Sequence, residues 1–168
     1  AATKWMIAGA IGGFVAFLIT LFKKTAAPIS TPIYALCQGL FLGGISALFE
    51  SSYPGIVMQA VALTFGTLFS LLAAYKSRLI KVTENFKLGV VAATGGIAVV
   101  YFMSFILGFF GINFSFLSTT NSGPMGILFS LFVVVIAALN LVLDFDFIEK
   151  GAEMNAPKYM EWIGAFGL

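Results

Sequence analysis

Five stretches of this chain are long and apolar enough to cross a membrane, and they leave little room for any other fold. They cover residues 5–22, 33–49, 55–75, 88–112 and 125–148. A spanning helix takes about 20 residues, because the hydrocarbon core is ~30 Å thick and each helical residue rises 1.5 Å. A sixth run, 159–168, reaches only about half way through that core at the same rise. The expected fold class is all-α: a polytopic integral membrane helix bundle with an incomplete last segment. It forms a single transmembrane domain over residues 1–168.

Composition agrees. Hydrophobic residues make up 60% and charged residues 10% of the sequence, against roughly 45–50% and about 25% in soluble proteins. A net charge of +2 gives no reason to expect a nucleic-acid partner; the bilayer is the partner that composition demands. With no histidine, Ser-His and Cys-His catalysis and the commonest metal ligand are absent. No catalytic, metal-binding or cofactor-binding residue is expected, and the protein is read as a non-enzyme. Cys37, alone inside an apolar run, reads as a small packed residue.

The connections follow their own pattern. Residues 51–55 (Ser-Ser-Tyr-Pro-Gly) form a compact turn, and 113–123 is polar but uncharged. The basic residues gather elsewhere: Lys23 and Lys24, then Lys76, Arg78, Lys81 and Lys87, then Lys150 and Lys158. If the runs alternate, eight of the nine basic residues fall on one side, which the positive-inside bias assigns to the cytoplasm. Basic loops at 23–32, 76–87 and 149–158 are therefore expected to be cytoplasmic. The chain starts without methionine hard against its first run and stops within its last. A piece of a longer protein is expected, trimmed inside the final helix. A signal peptide at 5–22 is the competing reading, and the Lys23-Lys24 pair after it favours a true span.

Small and polar residues inside the runs come next. Gly9 and Gly13, and Gly39 and Gly43, stand at the spacing that lets helix backbones approach. Gln38 sits mid-run and is expected to hydrogen-bond across helices. Glu50 closes the second run, as a solvated helix end or an acid at a pore mouth. Gln38 and Glu50 are the candidate pathway residues.

The fifth run carries Asn140, Asp144 and Asp146. An intramembrane acid is costly and marks a proton or ion pathway by default. At about 100° per residue the two aspartates lie about 200° apart and cannot form a dyad with each other. Asn140 and Asp144 share a face, so Asp144 is expected to point into the bundle, with Asp146 at the cytoplasmic interface. Protonation of Asp144 would remove a charge and release or form an interhelical contact. Glu161, at the start of the sixth run, is the acid available on another helix.

Several segments resemble the bacterial Bax inhibitor-one family in its YccA-like branch. They are PIYALCQGLFLGGIS at 32–46, YPGIVMQA at 53–60, LTFG at 63–66, LNLVLDFDFIE at 139–149 and APKYMEW at 156–162. The resemblance implies a bacterial inner-membrane protein of seven helices, with a central last helix wrapped by six others. The runs here would be helices two to seven. It also implies a pH-sensitive calcium leak channel, calcium being the transported ion, in which an acid on helix six pairs with one on helix seven. Asp144 matches the helix-six acid; the other belongs past Leu168. The YccA-like likeness further implies a membrane-bound AAA protease as protein partner.

A pH-modulated cation leak is thus the leading expectation, with Asp144, Asp146, Asn140 and Glu161 as proton-sensing and gating residues. A non-conducting regulator of a membrane protease is the alternative. An intramembrane aspartyl protease would need a Gly-x-Gly-Asp step, which is absent. A secondary transporter would show inverted repeats or paired broken helices, and none is visible.

Overall fold

Each apolar run becomes a helix in the computed structural model, which describes residues 2–112 and 123–168. The helices are α1 (Ala2–Phe22), α2 (Ala27–Ser52), α3 (Ile56–Lys76), α4 (Glu84–Phe109), α5 (Pro124–Glu153) and α6 (Tyr159–Gly167). No strand occurs among the described residues. Five helices, α1 to α5, are long and apolar enough to cross a membrane, with α2 counted from Lys24; α6, at nine residues, falls short. The polar connection expected at 113–123 lies outside the described residues except for Gly123.

Several helices run further than their apolar runs do, whereas α4 ends at Phe109, short of its run's expected end at Ile112. Proline delays the apparent start of the second run, but Pro28 falls in the first turn of α2 and Pro32 is held inside it. A first-turn proline sacrifices no intrahelical hydrogen bond, because the first amides have no partner there. α4 starts at Glu84 because Thr83 caps it, its hydroxyl accepting from the Phe86 amide at 3.2 Å. α5 continues through Lys150 to Glu153. The basic loops expected at 23–32, 76–87 and 149–158 are correspondingly shorter. Residues 27–32, 76, 84–87 and 149–153 are helical, leaving connections at 23–26, 77–83 and 154–158. Charged side chains are compatible with helix ends, where long stems reach the interface.

Three helices stop in the same way. After α4, Gly111 takes φ +78°, the Ile112 amide donates to Leu107 O at 3.0 Å and the Gly111 amide to Gly108 O at 3.1 Å. This is the left-handed cap that satisfies the last carbonyls. Asn155 (φ +48°) plays the same part after α5 and Arg78 (φ +58°) after α3. Between α2 and α3, Gly55 turns at φ +88°.

The chain packs as two compact units. One comprises residues 1–69 and 146–168, the other 70–145. In the first, α1 and α2 form an antiparallel hairpin through a 3-10 turn at Lys24–Ala26, and α6 lies against α2 and the turn. Glycine sets the α1–α2 distance. A Cβ at Gly9 would stand 2.6 Å from Cys37 O and 2.8 Å from the Phe41 amide, so the backbones touch there. Gly13 faces Cys37 and Gln38, as its spacing predicts, whereas Gly39 and Gly43 face open space; Gly44, packed on Met6, takes their part. Near the turn, the Thr20 and Ser30 hydroxyls meet at 2.7 Å, both residues buried. Phe166 of α6 packs on Phe17 and Tyr34 with ring centroids 6.1 and 4.6 Å away. Thr31 donates to Trp162 O at 3.3 Å.

In the second unit, α5 touches α3 through Phe145 and Tyr75, and α4 through Phe129 and Tyr101. Large apolar side chains such as Phe14, Leu36, Met58, Phe102 and Leu128 stand exposed over the helices. On a soluble protein such a surface would aggregate; in a bilayer, lipid tails solvate it.

Candidate functional site

The polar residues of α5 occupy its C-terminal half. The helix has 30 residues, about 45 Å at 1.5 Å each, and exceeds the ~30 Å core. Measured from Pro124, Asp144 lies about 30 Å along, where hydrocarbon would give way to headgroups. Both aspartates are therefore placed near that boundary rather than at mid-membrane.

Asn140 lies deeper and does cross between helices. Its amide nitrogen donates to Thr94 Oγ1 of α4 at 2.8 Å and to Ile136 O at 2.9 Å. Thr94 in turn donates to Val90 O at 2.8 Å. Sequence alone singles out Asn140 but not Thr94, although a threonine in the middle of an apolar run carries the same signal. Interhelical bonds of this kind contribute about 0.6 kcal/mol on average and at most ~1.7. Asn140→Leu and Thr94→Val are each expected to cost about 0.5–1.5 kcal/mol. The double variant should cost less than their sum, as read by unfolding in mixed micelles; strict additivity would deny the bond.

Of the two aspartates, the one expected at the cytoplasmic interface proves the more buried. Asp146 is the buried one, 7% exposed, while Asp144 is partly buried. Asp146 is ion-paired to Lys150 at 2.9 Å, one turn on. An acid four residues ahead of a lysine is the favourable order on a helix. Val142, one turn earlier on the Asp146 face, is fully buried. Asn140 and Asp144 share the other face, as the 100° rotation predicts. The error lies in taking that face as the only buried one. α5 is apolar around its whole circumference and has no solvent face to orient it.

The remaining candidates are dispersed. Glu161 is exposed in the first turn of α6, where a helix N-terminus favours an acid. Gln38 is partly buried on the α1–α2 seam, its Oε1 3.4 Å from where a Gly13 Cβ would stand. Glu50 is engaged by the next turn: its oxygens accept from the Gly55 amide at 2.7 Å and the Val57 amide at 3.1 Å. It thereby caps the start of α3 from the end of α2, satisfying amides that the helix cannot. Among the described residues, no three acidic, cysteine or histidine side chains gather as metal ligands would.

Comparison with known proteins agrees with the helical membrane architecture. No curated protein and no solved structure matches the chain. The family described as Bax inhibitor 1 like matches it over residues 1–168, the whole sequence. A helical chain with five candidate spans, matched from end to end in this way, belongs to the Bax inhibitor 1-like family.

Proposed function

We propose that this protein is a pH-modulated cation leak pathway of the membrane, with calcium as the leading ion and the aspartates of α5 as the proton-responsive groups. The observation that carries the reading is a pair of carboxylates at one end of a 30-residue apolar helix, one of them buried against a lysine. An ionisable residue buried within a membrane helix marks an ion or proton pathway by default, and Asp146 is buried. Asn140 and Thr94 bridge α4 and α5 one turn deeper than Asp144, so a change of charge at the helix end is backed by a fixed polar contact. A leak needs weak coordination that an ion can leave, and a single carboxylate on each face of α5 fits that better than the six to eight oxygens of a tight calcium site. In this reading no covalent chemistry is catalysed. The lysines that follow α1 and the basic ends of α3 and α5 face the cytoplasm of a bacterial inner membrane.

The test is calcium flux into liposomes carrying the protein. Asp144→Asn is expected to change both the rate and its response to acidification across the neutral range. Identical flux from the two proteins at every pH would remove the proposal. Absence of flux from both, with a membrane protease retained on purification, would leave the non-conducting regulator.

A further inference from the structure

A furrow of about 440 Å³ runs along the α1–α2 hairpin from Ala26 at the turn to Gly12 and Cys37. That volume is within the ~300–1,000 Å³ of small-molecule sites. Its floor is smooth: Ala16 is buried and Gly12 has no side chain. Its rims are branched and exposed, with Val15 and Ile19 on α1 facing Ile29 and Ile33 on α2. The one buried hydroxyl on the lining, Ser30, is already bonded to Thr20 and Ala26 O, so the furrow asks for no polar ligand atom. From Ala26 to Cys37 it spans about 16 Å at 1.5 Å per residue, about one leaflet of a ~30 Å core. At the turn end stand Lys23 and Lys24, both exposed.

We propose that this furrow binds an anionic phospholipid, one acyl chain lying along the α1–α2 groove and the headgroup phosphate meeting Lys23 and Lys24. Length, apolar lining and charge each fit one part of that molecule. A helix is about 10–12 Å across with its side chains and would rest on the isoleucine rims, whereas a single alkyl chain descends between them. A lysine beside a membrane surface strengthens anionic-lipid binding about fivefold, so two give a preference of about 10- to 30-fold over zwitterionic lipid. The site is independent of the aspartates of α5 and of any ion flux.

The experiment uses the whole protein in nanodiscs doped with phosphatidylglycerol or phosphatidylcholine bearing a diazirine near the chain end, with crosslinks mapped by peptide mass spectrometry. Phosphatidylglycerol is expected to label residues 12–19 and 29–37 about tenfold more than phosphatidylcholine does. The double variant Lys23→Gln/Lys24→Gln, which alters exposed residues only, should bring the first lipid down to the level of the second. Ala16→Leu, which fills the floor, should lower labelling while Lys23 and Lys24 stay in place. Equal labelling by both lipids overturns the proposal. So do crosslinks scattered over the exterior without dependence on the lysines, and so does a furrow that crosslinks to a second protein chain instead of lipid.

Discussion

Replacing Gly9 with alanine is expected to loosen the α1–α2 hairpin, and replacing it with leucine to prevent the hairpin from forming. The added Cβ would meet Cys37 O at 2.6 Å and the Phe41 amide at 2.8 Å. Both are backbone atoms of α2, so no rotamer change relieves the clash and the helices must move apart. Overpacking of this kind costs about 1–3 kcal/mol where side chains can adjust, and Gly9→Ala should reach the upper part of that range. Gly44→Ala is the informative comparison. Its Cβ would approach Met6 Cγ at 2.6 Å, but methionine is flexible and can withdraw, so the loss should be smaller. Gly39→Ala and Gly43→Ala meet nothing within 4 Å and should be neutral to within about 0.5 kcal/mol. Unfolding midpoints in mixed micelles should therefore rank Gly44→Ala below the two neutral variants and Gly9→Ala below them all. A Gly9→Ala protein as stable as the parent would show that the two helices do not touch there.

The same glycines show what could be read from the chain and what could not. The small-residue spacing at Gly9 and Gly13 located a true helix contact, but the equal spacing at Gly39 and Gly43 did not. Spacing fixes which residues share a face; it does not say whether that face meets a helix or lipid, since both are apolar. The number of spans was legible because hydropathy over about 20 residues is a strong signal. Helix ends were less so. Gly111 and Asn155 are residue types that accept a left-handed cap, but Arg78 does the same work without any signal in its side chain. Glu50 read as a helix end with a free acid, and its bonds to Gly55 and Val57 depend on a turn geometry that sequence does not specify. At the site, the rotation between Asp144 and Asp146 was legible, while the more buried of the two was not.

That difference makes the Asp146–Lys150 pair the second large expected effect. Asp146 is buried and Lys150 about half exposed, with 2.9 Å between their charged atoms. Hydrogen bonds to charged groups contribute about 1.5–3 kcal/mol, and a half-exposed lysine places this one at the lower end. Lys150→Met removes the lysine from a buried carboxylate and is expected to cost more than Asp146→Asn, which removes the buried charge itself. The double variant should recover part of the loss, because a buried pair replaced by neutral groups is often close to neutral in stability. Asp144→Asn, on the opposite face, should leave the coupling between Asp146 and Lys150 unchanged. Unfolding in mixed micelles reads this cycle. A double variant whose cost equals the sum of the two single costs would show that the ion pair does not stabilise α5.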